Sequence, residues 1–412
     1  MTPPRRRNFR RECNSMHVVF VCHEYPPALC GGIGPAVATL GRGMVRAGHR
    51  VSVVGMYPDV ATDGGPGFAA ELDEGVRVYR LAVPGRMPGL NWYWFRRTLR
   101  AHLVRLHAND PIDVVEWPDF LGTFWRPIDG VVDVLKVHGT ALSNRRHGLR
   151  QRLPSTTFAL EMRTLRKIRN WIGVSEWFNA EWREAASVTP EREVVVYNPV
   201  HTAIFRPAPD REKGLVFYSG AFRARKGVMA LARAAGIFLP QVPHARLVLM
   251  GFEADLTKQD ILDQASGVAD RIEFLPFMEQ RQMAELMAKA EVFAMPSFYE
   301  SCGNGWVEAM SCGVPVVGST LSCGPEIVAD GVSGLLADPA RPEDIAEKIV
   351  RLLSDAALAG QMGAAGRERA LKRFSVEVAV ARSDSFYRAC IEASRAERGG
   401  DRRRAEEPGA GT

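Results

Sequence analysis

Met295-Pro-Ser-Phe-Tyr-Glu-Ser-Cys-Gly-Asn-Gly-Trp-Val-Glu-Ala-Met-Ser-Cys-Gly-Val-Pro-Val-Val-Gly318 is the stretch on which the reading of this chain turns. An apolar run, Glu291 to Met295, leads into it as a strand. A Pro296-Ser297 loop follows, then Glu300, then a turn carrying Gly303 and Gly305. A short helix with apolar Trp306, Val307, Ala309 and Met310 is expected next, stopping at Gly313 before Pro315-Val-Val opens another strand. Two carboxylates, Glu300 and Glu308, thus bracket a glycine turn at a helix N-terminus. Such a terminus offers unpaired N–H groups and the positive end of a dipole, a natural seat for phosphate. Glycine lets the backbone approach a ligand closely. The unit can hold a nucleotide diphosphate with a carboxylate on either side.

The surrounding composition bounds the rest. A length of 412 residues predicts about two domains. Hydrophobic content of 46% and charged content of 24% are those of a soluble globular chain, not a disordered or fibrous one. No apolar run is long enough to span a bilayer. The run Val18 to Cys22 is too short for a secretory signal core, so a cytoplasmic protein is expected. The net charge is +6, and Arg outnumbers Lys 45 to 8. That bias reflects genome composition or favours phosphate and carboxylate partners, which guanidinium grips in bidentate fashion. No nucleic-acid partner is expected. The seven cysteines, Cys13, Cys22, Cys30, Cys302, Cys312, Cys323 and Cys390, form no Cys-x-x-Cys pair. They read as reduced thiols, and Cys302, Cys312 and Cys323 as small packing residues, with no disulfide framework and no zinc site.

In chain order, His17 to Cys22 is a strand, followed by a turn with Gly31, Gly32 and Gly34, a helix over about 35–47 and a strand at Arg50 to Val54. This is a βαβ unit. Its glycines are spaced Gly-Gly-x-Gly, and no acidic residue closes the second strand, which argues against a dinucleotide site. A helix over 90–108 carries Trp92, Trp94 and Phe95 beside Arg96, Arg97, Arg100 and Arg105. It reads as an amphipathic helix packed on its own domain, or as a contact to a membrane or lipid-linked acceptor. Val131 to Val137 is a strand ending at His138-Gly139, where open α/β sheets place their ligands. From Arg145 to Arg169 the only acidic residue is Glu161. That segment reads equally as a solvated helix face or as a landing surface for an anionic acceptor or lipid.

A linker rich in Pro and charge, 201–213, separates a second strand–helix series that starts at Gly214. Two such series predict two doubly wound α/β domains facing a central cleft that holds ligand. The expected organisation is a disordered N-terminus over 1–15, a first domain over 16–205, a second over 206–373, a helix over 374–393 and a disordered tail over 394–412. In the second series, Gly220-Ala-Phe-Arg-Ala-Arg-Lys-Gly227 brings Arg223, Arg225 and Lys226 to a turn before a helix. Cations and N–H donors suit a diphosphate, and carboxylates grip sugar or ribose hydroxyls. Such cations also stabilise the charge a departing diphosphate gains. There is no Asp-x-Asp pair, so neither a metal nor a bound cofactor is expected at the diphosphate.

The segment Pro296-Ser297, Glu300 and Glu308-Ala-Met-Ser-Cys-Gly-Val-Pro-Val-Val317 resembles the Glu-x7-Glu signature of the large retaining glycosyltransferase family 4 (glycosyl transferases group 1, GT-B architecture). Gly31-Gly32, Ala47-Gly-His-Arg-Val51, Asn198-Pro-Val, Phe205-Arg-Pro207 and Pro325-Glu-Ile-Val328 are similar to further family segments, so the resemblance runs from Met16 to about Ala393. It implies two Rossmann-like domains, with a last helix crossing back to the first. It implies that Glu308 holds the nucleotide ribose, that Glu300 contacts the donor sugar near the reacting carbon, and that Lys226 binds the diphosphate. Gly303, Asn304 and Gly305 would donate backbone N–H groups to the donor, with Gly31 and Gly32 against the donor phosphate and His138 facing the donor sugar. Glu300, Lys226 and His138 are the residues expected nearest the chemistry.

The family's loop often reads Gly-Arg-x-x-x-x-Lys-Gly, whereas Ala221 follows Gly220 here, so Arg225 or Arg223 is expected to supply the missing guanidinium. The implied activity is hexosyl transfer from a UDP-, GDP- or ADP-sugar to a hydroxyl acceptor, anionic or lipid-linked, in glycan, glycolipid or surface polysaccharide synthesis. A sugar phosphorylase, a nucleotide-sugar epimerase or a non-catalytic nucleotide-sugar binder on the same architecture are the alternatives.

Overall fold

Valine-rich runs that alternate with glycine-punctuated helices form the expected parallel strands. The computed structural model describes residues 15–28, 31–58, 60, 68–83, 91–139, 155–265 and 267–406. The strands are β1 (His17–Val21), β2 (Arg50–Tyr57), β3 (Phe68–Asp73), β4 (Val76–Ala82), β5 (Val114–Pro118), β6 (Val132–Val137), β7 (Asn170–Gly173), β8 (Arg192–Val195), β9 (Leu215–Ser219), β10 (Arg246–Met250), β11 (Ile272–Leu275), β12 (Val292–Ala294), β13 (Val316–Ser319) and β14 (Gly334–Ala337). The helices are α1 (Ile33–Arg46), α2 (Asn91–Asn109), α3 (Ser155–Lys167), α4 (Glu176–Ala186), α5 (Val228–Gln241), α6 (Lys258–Leu262), α7 (Gln280–Lys289), α8 (Asn304–Ser311), α9 (Gly324–Ile327), α10 (Pro342–Ser354), α11 (Ala356–Phe374) and α12 (Val376–Glu406).

One sheet runs β3-β4-β2-β1-β5-β6-β7-β8 and the other β11-β10-β9-β12-β13-β14. Every neighbouring pair of the second sheet is parallel. Its strands are apolar on both faces because helices cover both; Val216, Phe217, Leu247, Val248, Leu249, Val292 and Phe293 are all fully buried. The chain enters at β9, builds outward through β10 and β11, then returns to the other side of β9 with β12. The loops leaving β9 and β12 therefore start side by side at a switch point, where such sheets bind ligands. In the first sheet the corresponding point lies between β1 and β5.

By contact the chain groups into two units. One comprises Met1–Pro118, Thr123–Leu135 and Asp384–Thr412, and the other Asp119–Gly122 and Lys136–Ser383. The last strand of the first sheet ends at Val195, and the first strand of the second begins at Leu215. The contact grouping, however, assigns β7 and β8 to the same unit as the second sheet.

Two elements differ from the sequence reading. Strand β3 pairs antiparallel with β4 and went unread because it is an exposed edge strand with no apolar alternation. The last helix does return to the first unit, where the Tyr387 hydroxyl donates to the Glu116 carboxylate. It also continues to Glu406, past the expected tail start at 394, a stretch rich in the helix formers Ala, Arg and Glu. The expected disordered N-terminus, 1–15, falls almost wholly outside the described residues, as does 140–154 of the basic segment.

Candidate active site

The loops at the β9/β12 switch point carry the signature residues, and two glycines explain how closely they meet. Gly227 has φ +71°, and a Cβ there would lie 1.8 Å from the Pro296 carbonyl oxygen. Only glycine allows the loop after β9 to press against the loop after β12 at this point. The Arg225 carbonyl then accepts N–H bonds from Phe298 (2.8 Å) and Tyr299 (3.3 Å), while its Nη1 donates to the Tyr299 carbonyl at 3.1 Å. Arg225 thus joins the two loops through its backbone as well as its guanidinium.

This contact delivers Lys226 to Glu300. Lys226 Nζ lies 2.7 Å from Glu300 Oε1, Arg225 Nη1 lies 3.8 Å from the same oxygen, and the Ser297 hydroxyl donates to it at 3.3 Å. Glu300 is 6% exposed. Burial pushes its carboxyl up, but Lys226, Arg225 and the two hydrogen bonds outweigh that and hold it below the usual carboxylate range. Glu300 is an anion with cations on one side. Arg223 has no ion-pair partner among the described residues, so the structure brings Arg225, and not Arg223, to Glu300.

Gly303, at φ +64°, caps α8; a Cβ there would lie 2.2 Å from the Trp306 ring. No side chain caps this helix, and the amides of Gly303, Asn304 and Gly305 have no acceptor among the described residues. The Asn304 side chain instead accepts from Asn198 Nδ2 at 3.2 Å. One turn along α8, Glu308 is half-buried, with no hydrogen bond or ion pair among the described residues. Burial pushes its carboxyl up to about 8, and Lys226 only partly opposes this. The two signature glutamates therefore carry opposite perturbations: Glu300 is held ionised, and Glu308 is largely protonated at neutral pH.

His138 follows β6 as expected. Burial, reinforced by Lys136, lowers its pKa to about 3, so the ring is neutral. Its backbone N–H and that of Gly139 both donate to Asp119 Oδ2 at 3.1 Å. Asp119 is fully buried, and its Oδ1 has no partner among the described residues. Burial raises its carboxyl to about 7 against four backbone N–H bonds. The sequence reading missed Asp119; the available signal was an acidic residue directly after β5, at the switch point of the first sheet. Gly31 and Gly32 sit exposed before α1, as expected. There a second missed carboxylate, Glu24, accepts the Gly31 N–H at 3.1 Å.

Helix α2 buries Leu99 and Leu103, and Arg96 with them at 2% exposure, which removes Arg96 from the expected basic face. Tyr93, Trp94, Arg97 and Arg105 are exposed. Arg97 lies over the Trp94 ring, its guanidinium carbon 5.6 Å from the centroid. Helix α3 and the turn after it expose Arg163, Arg166, Lys167 and Arg169 while burying Met162, Leu165 and Ile168. Cys22, Cys302, Cys312, Cys323 and Cys390 are buried, and Cys302, Cys312 and Cys323 are free thiols. Among the described residues no helix is long and apolar enough to cross a membrane, and no three His, Cys, Asp or Glu side chains gather as a metal site.

Two family models tile the chain: Glycosyltransferase Family 4 over residues 30–204 and Glycosyl transferases group 1 over 201–369. An uncharacterised glycosyltransferase of Methanocaldococcus jannaschii is 27% identical over 359 residues, covering 82% of this chain and 90% of that protein. Among solved structures, sucrose-phosphate synthase from Thermosynechococcus elongatus superposes with a TM-score of 0.78 at 22% identity, over 92% of this chain and 100% of the other. HepE from Anabaena, solved in complex with UDP and glucose, gives 0.66 at 17% identity over 91% and 100%. With the paired glutamates, the Lys-Gly turn and the bare α8 N-terminus all following the central strands β9 and β12, inside the second matched segment, the chain belongs to glycosyltransferase family 4 and is a glycosyltransferase of the GT-B architecture.

Proposed function

We propose that this enzyme moves a sugar, with retention of configuration, from a nucleotide-diphosphate donor to a hydroxyl acceptor in glycan, glycolipid or surface polysaccharide synthesis. The observation that carries the reading is the buried Lys226–Glu300 contact of 2.7 Å beside helix amides that lack acceptors. Lys226 and the amides of Gly303, Asn304 and Gly305 receive the diphosphate, Glu308 takes the ribose hydroxyls, and Glu300 takes the donor sugar. Gly31, Gly32 and His138 keep the donor contacts that the family resemblance implies. The UDP and glucose bound by HepE support a uridine nucleotide as the first donor to try.

In the step itself, the bond from the anomeric carbon to the diphosphate oxygen breaks, and its electron pair leaves on the diphosphate. Lys226 and the α8 N-terminus stabilise that charge. The acceptor oxygen bonds to the same carbon on the same face, and its proton passes to the departing phosphate. We propose no metal and no cofactor, since side-chain and backbone donors supply the positive charge. The test is incubation with labelled UDP-, GDP- and ADP-glucose and an acceptor panel, with and without EDTA. One donor is expected to label an acceptor regardless of EDTA, and Glu300→Ala is expected to lower transfer by roughly 10²–10³-fold. Phosphate-dependent release of sugar phosphate without an acceptor would replace the reading with a phosphorylase.

The acceptor is proposed to be anionic or lipid-linked, met by peripheral contact at the cytoplasmic membrane face. Exposed Tyr93, Trp94 and Arg97 on α2 and the basic row Arg163, Arg166, Lys167 and Arg169 support this. The phosphorylated sugar in the name sucrose-phosphate synthase also fits an anionic acceptor. The protein is expected to co-sediment with phosphatidylglycerol vesicles at low salt and to be released by salt on the order of 0.5 M. Absence of binding at low salt removes the membrane part of the proposal.

A further inference from the structure

We infer that Ser175 and Glu326 are positioning residues of the donor site, fixing the loop Tyr299–Gly303 and through it the Glu300 carboxylate; the inference rests on the reading proposed above. Helix α4 begins just after β7, and all groups concerned lie in one contact unit with the second sheet. Its N-terminal amides are fully occupied. Those of Glu176 and Trp177 donate to the two Glu326 carboxylate oxygens at 2.8 and 3.0 Å, and that of Phe178 donates to Ser175 Oγ at 3.2 Å. Unlike the bare end of α8, this terminus carries its own anion, supplied by the second sheet from α9. Tyr197 adds a third donor to Glu326 at 2.7 Å, and its hydroxyl in turn accepts from Arg373 at 2.8 Å.

The same terminus reaches the donor loop. Ser175, fully buried, donates its hydroxyl to the Ser301 carbonyl at 2.6 Å. Its oxygen is polarised by the Phe178 N–H that it accepts, which strengthens the bond it donates. Ser301 is the residue after Glu300, so this bond sets where the loop turns between the carboxylate and Gly303. On the other side of Glu300, the Tyr299 ring meets Trp177 edge-on at 5.7 Å, and its hydroxyl lies 3.4 Å from Glu181. Helix α4 therefore grips the loop on both sides of the glutamate, and Glu326 holds α4 in register with the second sheet. Both act through other groups, Ser175 through the Ser301 carbonyl and Glu326 through the amides of Glu176 and Trp177.

The test uses the full chain with Ser175→Ala and Glu326→Gln, assayed on UDP-, GDP- and ADP-glucose. Each variant is expected to lose roughly 10- to 100-fold in kcat per folded molecule, with KM for the donor changed by less than about three-fold, because small misplacement of a reacting group costs rate more than binding. Hydrogen exchange of the peptide Tyr299–Gly305, read without donor, is expected to speed up at least about ten-fold in both. A variant that melts earlier but keeps wild-type kcat per folded molecule and wild-type exchange overturns the inference. If Ser175→Ala does not fold, Glu326→Gln alone decides by the same two readings. A loosened loop in the variants, with a wild type that turns over none of the three donors, supports the positioning role and removes only the proposed function.

Discussion

Lys226→Ala is expected to lower kcat/KM for transfer by about 10³-fold and to destabilise the protein as well. Two losses coincide at this residue. The ammonium is the group nearest Glu300, at 2.7 Å, and the carboxylate is buried. Removing one partner of a buried pair leaves the other desolvated and uncompensated, at a cost of about 3–5 kcal/mol before relaxation. Arg225 stands further off at 3.8 Å and is already engaged with the Tyr299 carbonyl. The Glu300 carboxyl should then rise, since burial alone pushes it upward. The second loss is the cation proposed to meet the departing diphosphate. Lys226→Arg is not expected to restore the rate, because a planar fork does not replace a compact ammonium in a closed turn. Steady-state transfer with the best donor and calorimetric melting together check this. A loss below about ten-fold in rate would remove Lys226 from the chemistry.

The second large effect is in pH. With Glu308 raised to about 8, the carboxylate form that accepts ribose hydroxyls is the minor form at neutral pH. Deprotonation proceeds as pH rises through that value. Donor affinity should therefore strengthen with pH, by roughly ten-fold between pH 7 and pH 9, and level off above. Binding in turn should pull the Glu308 pKa down, with proton release on donor binding. Glu308→Gln should bind donor more weakly at pH 9 and show a flat profile. Calorimetry with UDP in two buffers of different ionisation enthalpy reads both the affinity and the released proton. A wild-type affinity that is flat across this range would deny Glu308 the ribose role.

Much of the fold was open to reading because its strands are short valine-rich runs closed by Gly or Pro. The first βαβ unit is an example: the sequence reads as His17 to Cys22, about 35–47 and Arg50 to Val54, and the structure has β1 at His17–Val21, α1 at Ile33–Arg46 and β2 at Arg50–Tyr57. Strand β3 was hidden because an exposed edge needs no apolar face. At the site, the meeting of Lys226 with Glu300 could be suspected from motif alone, but the strand order β9-β12 is what brings it about. Arg225 was read as a ligand cation; its part as a clasp between loops is made largely by backbone and leaves no residue-type pattern. Asp119 and Glu24 likewise accept from main-chain amides, and only the place of Asp119 directly after β5 pointed to it. Ser175 is the same kind of case, since its key acceptor is the Ser301 carbonyl.

The last helix carries a consequence for the order of folding. The unit that contains β1 also contains Asp384–Thr412, and Tyr387 is fully buried against that unit with its hydroxyl on Glu116. The unit built on the second sheet ends at Ser383. During synthesis, the part begun second has all its chain first. The part begun first stays unfinished, with the Tyr387 socket beside β5 unfilled, until the helix emerges. The unit that holds β1 is thus complete only when the residues from Asp384 onward have been made, and the first strands to be synthesised are the last to gain all their contacts.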